Sequence, residues 1–519
     1  MARLPPLLLL LLLLPTSVLA SNYFEQIGWL KPDSHVLRVI QYPNDIENLY
    51  RSTGNHLIWL DIQQSTRLEF QLEVISNAGF SPLFARQLRY MEYYRKSNRW
   101  HEYDLLATDT LLLYISYAEQ AKVLGYDWFF KSQLYKPLPR LNPMDLYGVS
   151  VAVEYQQLSA LIDIYTPKND DYQALIANYL HVIKFENLNV PLYEQDGMRE
   201  IGDRLNNREL LLLRMEMIDV DLTDVRRDID WYDVTLVDAI KQFQGLHGLA
   251  QDGIIGTDTL RWLNISPTQR LSMLALNAER GRLWPMERDI IIVVNVPGFD
   301  MKYWYSGQAI FESKVVVGSR GRPTPLMITN MDSLILNPTW NVPWKIMVED
   351  IIPKVKKDPQ YLVRQRINII PKWGSKELID PQEIDWQNMR PSSFPYRMTQ
   401  LAGDKNALGS YKFNTPNRRA IFLHDTPSKN LFEETTRAFS SGCVRVENAG
   451  ELATRLLETQ GLALSSLNRE AFASNKSIPL KQRVPVHIIY QTAWPEGGKV
   501  HYRDDIYRLD KLNSGRGGV

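Results

Sequence analysis

Phe-Ser-Ser-Gly-Cys-Val-Arg-Val at residues 439–446 contains Cys443, the only cysteine among 519 residues. A single thiol cannot form an internal disulfide, and in an oxidising compartment it is open to oxidation or wrong pairing. Most free cysteines are small buried apolar residues. Here a glycine precedes the cysteine, and a helix pattern follows, with Asn448 and Glu451 in capping-box spacing. A tight loop of this kind can present a sulfur and backbone N–H groups to a substrate carbonyl, which indicates a nucleophile.

A nucleophilic thiol needs a base, because a free thiol with a pKa of ~8.5 is mostly protonated at neutral pH. His424 is the candidate, since it ends the apolar strand pattern of residues 420–424, and Asp425-Thr426-Pro427 turns away from it. It precedes Cys443 by nineteen positions, and the other seven histidines lie in less suggestive contexts. The pair His424 and Cys443 is therefore the predicted chemical centre.

The surroundings of this pair predict a mainly β domain over residues 286–510. Residues 290–296 are a β-branched run, and residues 303–311 carry two aromatic or apolar runs around Ser306-Gly307-Gln308, which is a hairpin signal. Strand patterns return at residues 484–490. Residues 345–395 are polar and rich in Lys, Asp and Pro, which indicates an insertion within the β domain.

Residues 424–448 resemble the signature of the YkuD-type L,D-transpeptidases, which is a histidine, a gap of restricted length, and then Ser/Thr-His-Gly-Cys. Ser441 stands where many members carry histidine, but the YcbB-like branch carries serine there. Further segments are similar to that branch: His424–Phe432, Arg437–Val446, Asn337–Pro343, Asn406–Phe413 and Thr492–Trp494. The resemblance covers roughly residues 195 to 510.

The resemblance implies that Cys443 attacks the carbonyl between the third residue and the terminal D-Ala of a peptidoglycan tetrapeptide stem. The side-chain amine of a second stem then resolves the thioester and gives a 3→3 cross-link. His424 would donate and accept the protons, and the backbone carbonyl of Asp425 would orient it. The remaining candidates are the N–H groups of Gly442 and Cys443 as an oxyanion hole and, for substrate binding, Ser441, Arg445, Trp340, Tyr411 and Lys412. An ion pair within the domain is the competing role for Arg445.

The resemblance also assigns the insertion to a lid subdomain, implies no metal or cofactor, and implies acylation of Cys443 by carbapenems. An L,D-carboxypeptidase, with water as the acceptor, uses the same acyl-enzyme and stays open, as does a non-catalytic murein-binding scaffold. A papain-like protease is disfavoured because its cysteine precedes its histidine. A penicillin-binding D,D-transpeptidase is disfavoured because the sequence has no Ser-x-x-Lys motif.

Residues 195–265 resemble the small three-helix peptidoglycan-binding module. Phe243, Gln251-Asp252-Gly253 and Leu260 stand at its framework positions, with Thr257 as the expected N-cap of its last helix. Residues 21–194 carry apolar residues at helical spacing and predict a helical scaffold domain, to which a helical connector over 266–285 returns. The fold class expected is therefore α+β and multidomain, with residues 511–519 as a tail.

The first twenty residues predict a Sec-type signal peptide. Residues 1–3 give a positive start, residues 4–14 are almost all leucine, and Val18 and Ala20 suit a cut after Ala20. The expected location is the periplasm, with an uncleaved membrane anchor as the alternative. Lys plus Arg and Asp plus Glu both count 59, which gives no electrostatic argument for nucleic acid. The partners expected are peptidoglycan stem peptides and glycan, together with cell-wall synthesis proteins.

Overall fold

The computed structural model describes residues 23–31, 34–135, 138–284, 288–471 and 474–510. The predicted signal peptide and tail lie outside the described residues. In chain order the described residues form a helical region, a small helical module, a helix that returns to the first region, and a mainly β domain. The predicted α+β multidomain class is confirmed.

The N-terminal region is helical because apolar side chains recur at helical spacing and polar residues cap the helices. The side chains of Asp61, Ser81, Asn142 and Asn169 each accept a hydrogen bond from a backbone N–H of the following first turn. The long helix α4 lies at the centre and is buried over most of its length. The helices are α1 Pro43–Ser52, α2 Ile62–Asn77, α3 Pro82–Lys96, α4 Trp100–Phe130, α5 Pro143–Glu154, α6 Leu158–Tyr165 and α7 Asp170–Val182.

The small module contains α8 Arg208–Glu216, α9 Val234–Leu246 and α10 Thr257–Leu263. Thr257 is not the N-cap of α10, because the helix begins at Thr257 itself and Gly256 occupies the cap position without a side-chain bond. The chain enters and leaves the module at one point. There the side chain of Asn264 accepts from the Tyr193 N–H and donates to the Tyr193 carbonyl, both at 2.9 Å.

Helix α11, Pro267–Arg280, follows the module and packs against α2 and α7 of the N-terminal region. Its start is fixed by a capping box between Ser266 and Gln269. The Ser272 hydroxyl donates to the carbonyl of Asn77 at 2.7 Å. The chain therefore leaves the helical region, forms the module and comes back.

The β domain is built on one sheet that closes on itself. In the described part of the chain, nine strands follow the order β10-β3-β11-β9-β8-β4-β12-β1-β2, and β2 also pairs with β3. The strands of the domain are β1 Ile290–Asn295, β2 Asp300–Tyr305, β3 Gln308–Gly318, β4 Met327–Leu336, β5 Trp340–Asn341, β6 Ile367–Ile370, β7 Arg397–Gln400, β8 Tyr411–Asn414, β9 Leu423–His424, β10 Ala438–Ser440, β11 Val444–Val446, β12 Lys476–Ile489, β13 Ala493–Glu496 and β14 Lys499–Tyr502.

The hairpin predicted around Ser306-Gly307 is confirmed as the β2–β3 turn, where both residues adopt positive φ. Alternate residues of the strands face a core that also receives Leu452, Leu456 and Leu457 from a helix over Ala449–Thr459. Asn448 precedes this helix, but its side chain makes no capping bond, so the predicted capping box is wrong.

The insertion is a compact subdomain with a core of its own. Strands β5, β7 and β6 form its sheet, so its described fold runs from Trp340 to Gln400 rather than over 345–395. Met347, Ile352 and Trp386 are among its buried residues. Its helices are α12 Trp344–Ile346, a π-helical turn Met347–Ile351, α13 Ile352–Lys357 and α14 Tyr361–Arg364, so the helix Ala449–Thr459 is α15.

Candidate active site

Two parallel strands carry the predicted catalytic pair. Strand β9 pairs with β11, so that Leu423 lies beside Val444 and His424 lies beside Arg445. Leu423 and Val444 are fully buried in the domain core. Because side chains alternate along a strand, His424 and Arg445 project from the opposite face of the sheet. Cys443 lies in the loop directly before β11, where the charges of Lys412 and Arg445 act on its thiol. The sequence-predicted base and cation therefore share one face, with the nucleophile beside them at its edge.

The loop before Cys443 is held by its own hydrogen bonds. Gly442 has a φ of 116°, a conformation that favours glycine. Its N–H donates to Ser440 Oγ at 3.1 Å, and Ser440 Oγ donates to the Cys443 carbonyl at 2.6 Å. The Gly442 carbonyl accepts from Thr324 Oγ1 at 2.9 Å. The Gly442 N–H is thus committed to the loop, which contradicts its expected place in an oxyanion hole in this conformation.

The thiol of Cys443 points at the backbone beside it. Its Sγ donates to the carbonyl of Ala420 at 3.7 Å rather than to His424. Burial raises the pKa of Cys443, while the Phe422 N–H and the positive charges of Lys412 and Arg445 act in the opposite direction. The resting cysteine is a protonated thiol.

His424 is buried and is oriented by the next residue. Its Nδ1 donates to the backbone carbonyl of Asp425, which leaves the Nε2 lone pair free to accept a proton. Burial, and then the positive charge of Arg445, lower the pKa of His424 to about 3. The imidazole is therefore neutral at pH 7, and the resting pair is a thiol and an imidazole rather than a thiolate and an imidazolium.

Two cations on this face lack partners. Lys412 lies beside His424 across the β8–β9 pair, and its ammonium is 4.3 Å from the centre of the Phe422 ring. Neither Lys412 nor Arg445 makes a hydrogen bond or an ion pair with a residue that the structure describes, and Arg445 Nε is buried without an acceptor. The ion pair weighed as the competing role of Arg445 is therefore absent from the described residues. Two unpaired cations beside a thiol form a site for an anionic group.

Arg322 connects the Cys443 loop to the lid subdomain. Its guanidinium donates to Ser441 Oγ at 2.9 Å and to Glu349 at 2.6 Å, and it forms a two-point ion pair with Asp350. Glu349 and Asp350 lie in the π-helical turn of the lid. A single side chain therefore ties the residue before Gly442 to the lid.

Other expected site residues lie elsewhere. The side chain of Tyr411 packs against the domain core, because it alternates with Lys412 on β8, so its expected place in the cleft is wrong. Its backbone carbonyl instead accepts from the Asp425 N–H at 2.9 Å. Trp340 pairs with Gln400 in the lid sheet and packs on the lid core. The Asp425 carboxylate is held by the Ser410 N–H and Lys429 Nζ, both at 2.8 Å.

Sequence reasoning missed three participants. Arg322 and Thr324 come from the turn after β3, more than a hundred positions before the cysteine, and no local signal links them to it. Ala420 contributes only its carbonyl, which any residue could supply. Its positive φ of 53° is the single unusual property at that position, and only the structure reveals it.

In the described ranges, no group of three or more His, Cys, Asp and Glu side chains is arranged to hold a metal ion. Among the same residues, no helix combines the length and apolar character needed to cross a bilayer.

Family comparisons divide the chain as the structure does. Residues 289–488 match the L,D-transpeptidase catalytic domain, called YkuD, residues 44–178 match the "Scaffold domain", and residues 196–263 match the "Putative peptidoglycan binding domain". A Haemophilus influenzae protein named "Putative L,D-transpeptidase" is 42% identical over 240 residues, which are 46% of this chain and 48% of that protein. The chain thus spans about half the length of this curated relative.

Solved structures give weaker likenesses. An L,D-transpeptidase from Xylanimonas cellulosilytica covers 58% of this chain and 98% of its own, with 12% identity and a TM-score of 0.17. A fused Zn-dependent amidase/peptidase/peptidoglycan-binding protein from Clostridium acetobutylicum covers 57% and 100%, with 10% identity and a TM-score of 0.14. At these TM-scores neither supports a conclusion. From the family matches and the curated relative, this chain carries a YkuD-type L,D-transpeptidase catalytic domain together with a peptidoglycan-binding domain.

Proposed function

We propose that this protein is a peptidoglycan L,D-transpeptidase that forms 3→3 cross-links through a thioester on Cys443, with release of D-Ala. The observation that carries the proposal is the convergence of an oriented neutral imidazole and two unpaired cations on one sheet face, with the Cys443 thiol in the adjoining loop. The neighbouring helical module matches a peptidoglycan-binding domain, which supports peptidoglycan as the substrate.

In the first half-reaction, the Cys443 proton moves to the Nε2 lone pair of His424 as Sγ attacks the carbonyl before the terminal D-Ala. The C–N bond breaks, His424 returns the proton to the leaving amine, and a thioester forms. Since the Gly442 N–H is engaged, the Cys443 N–H is the better oxyanion donor.

In the second half-reaction, the amine of another stem loses a proton to His424 and attacks the thioester, which restores the thiol. The proton balance requires the same Nε2 atom in both halves. The Asp425 carbonyl on Nδ1 supports this role, because it keeps the tautomer with Nε2 unprotonated.

Arg445 and Lys412 link binding of the donor stem to the pKa of His424. A terminal D-Ala carries a carboxylate, and Arg445 and Lys412 can receive it. Both cations lower the pKa of His424 in the resting site. A bound carboxylate offsets their charge, so the imidazolium becomes less unfavourable once the donor is seated. The base thus gains strength when its substrate arrives.

The test uses purified protein and a disaccharide-tetrapeptide, with products separated by mass spectrometry. A cross-linked dimer with loss of D-Ala is expected, and Cys443→Ala should abolish it. Tripeptide without dimer would show an L,D-carboxypeptidase with water as the acceptor. No product from the wild type would leave only the murein-binding scaffold, and product that persists in Cys443→Ala would contradict Cys443 as the nucleophile.

A second test probes the acyl-enzyme directly. Incubation with a carbapenem should add its mass to the intact chain at Cys443, and the Cys443→Ala chain should show no adduct. An unmodified wild-type chain would contradict the proposed nucleophile.

The setting proposed for this activity is the periplasm, reached by the N-terminal signal. Peptidoglycan-acting domains suggest a location at the cell wall. Fractionation of cells that produce the full chain should recover it outside the cytoplasm, and a chain that starts at residue 21 should remain inside.

A further inference from the structure

A cavity of about 590 Å³ lies where the N-terminal helices meet the β domain. Its floor is the outer face of β1, β2 and β12, and its walls are the start of α7, the end of α11 and the β13–β14 hairpin. The residues that line it include none of His424, Lys412, Cys443 and Arg445. Cavities of this size at domain junctions are common ligand sites.

Three tryptophans, Trp284, Trp304 and Trp494, line this junction cavity, and each is partly exposed. The indole N–H groups of two of them are fixed by hydrogen bonds, and Trp494 Nε1 donates to Glu496 at 3.2 Å. With the Gln491 amide assigned by its hydrogen bonds, Trp284 Nε1 donates to the Gln491 oxygen at 2.8 Å. Fixed indole rings offer flat apolar surfaces, which suit the C–H faces of pyranose rings.

Carboxylates are held in place between the rings. Arg288 pairs with Asp171 and lies over the Trp304 ring at 4.8 Å, and Lys302 pairs with Glu496. Both carboxylates remain partly exposed, so their free lone pairs can accept from ligand hydroxyl groups. A preset arrangement of acceptors loses little entropy when a ligand binds.

Two polar groups at the cavity have no hydrogen-bond partner in the described part of the chain. The side chain of His487 is 9% exposed, and its Nδ1 is buried without a hydrogen-bond partner. The Asp300 carboxylate also accepts no hydrogen bond from the described residues. A buried group without a partner, such as His487 Nδ1, calls for an explanation, and both this atom and the half-buried Asp300 carboxylate line the cavity. A hydroxyl can donate to one and accept from the other.

We propose that this junction cavity binds a pyranose oligosaccharide, the glycan strand of the wall, as a site separate from the thiol. Four carboxylates and two cations line it, which disfavours an anionic stem peptide. The same hairpin that bounds the cavity also contacts the small module, where Lys499 Nζ lies 2.8 Å from Asp219. A strand held by the module can therefore continue into the cavity.

The test is calorimetric titration of the full chain carrying Cys443→Ala with chitotetraose, a neutral N-acetylated pyranose oligomer without peptide. Saturable binding is expected, weakened at least tenfold by Trp304→Ala and by Asp171→Asn. Trp100→Ala, which removes a tryptophan remote from the cavity, should bind as the parent does. Thermal melting of each variant establishes that it is folded.

Equal binding by the parent and both cavity variants would overturn the proposal, as would displacement of chitotetraose by a sugar-free tetrapeptide. Failure here is distinct from failure of the cysteine chemistry. Binding is measured without the thiol, so its outcome does not depend on turnover at Cys443.

Discussion

Two buried arginines of the module and the half-buried Arg445 beside His424 differ in the hydrogen-bond acceptors that the fold gives them. In the module, Arg208 donates to the carbonyls of Arg226 and Trp231 and to the Asp233 carboxylate, and Arg214 donates to several carbonyls, among them Leu263 at 2.8 Å. Arg445 has no such acceptor in the described residues. The fold thus supplies acceptors to the guanidinium groups of Arg208 and Arg214, whereas the buried Nε of Arg445 keeps its N–H available for a ligand.

The largest effect should come from the histidine beside Arg445. His424→Gln keeps a similar volume but removes the base, so kcat/KM should fall by about 1,000-fold, within the range for general-base catalysis. Turnover of a tetrapeptide donor measures this. His56→Gln, an exposed histidine in the helical region, is the matched control and should keep full activity. Retained activity in His424→Gln would show that His424 is not the base, and the position of Arg445 beside it would then give no reason to assign the arginine to the reaction.

Substitution of Arg208, which we assign to the fold, should lower the stability of the protein. Arg208→Gln removes a buried guanidinium that forms an ion pair with Asp233 and donates to two backbone carbonyls, which should lower the free energy of unfolding by about 3 kcal/mol. Chemical denaturation measures the change. An unchanged midpoint would mean that saturation of the guanidinium does not identify a structural arginine.

Substitution of Arg445, which we propose to bind the substrate, should lower activity without lowering stability. Arg445→Gln removes a proposed carboxylate contact, so kcat/KM should fall by about 100-fold, which corresponds to roughly 2.7 kcal/mol of transition-state stabilisation. The melting temperature should stay within a degree or two of the wild type. A large loss of stability would instead assign Arg445 to the fold.

The pH profile gives a smaller but more specific readout. Because the pKa of His424 is held at about 3, its imidazole stays neutral as the pH falls, and kcat/KM should hold down to about pH 5. Arg445→Gln removes the second cause of that depression, so the pKa rises toward 6.5 and the acid limb moves to higher pH. An acid limb unmoved by the substitution would contradict the electrostatic link.

The smallest effect concerns Arg322, which is paired but belongs to both lid and loop. Arg322→Ala should raise KM about tenfold with a lesser effect on kcat, because the lid and Ser441 lose their shared anchor. Asp350→Asn should act in the same direction more weakly. Identical kinetics in both variants and the wild type would show that the lid needs no such tie.

The sequence predicted much of this site because the proposed catalytic residues stand in short, specific patterns. His424 and Arg445 fall on one face because they lie side by side on paired strands, and strand alternation is readable from the sequence. Tyr411 was assigned to the cleft together with Lys412, but side chains of neighbouring residues on β8 point to opposite faces of the sheet. Which of the two faces the cleft depends on the register of β8 with strands that are distant in the sequence. Arg322, Thr324 and the junction cavity depend on contacts between segments far apart in the chain, which no local pattern encodes.

The paired hydrogen bonds of Asn264 with Tyr193 hold the two ends of the module together. Because both covalent connections of the module lie at this one point, a force on a bound wall strand is transmitted along the chain through a single joint. Helix α11 continues directly from that joint and forms a wall of the junction cavity. Tension in the wall would therefore reach the helical region through this covalent joint, and the β domain through the contact between Lys499 and Asp219.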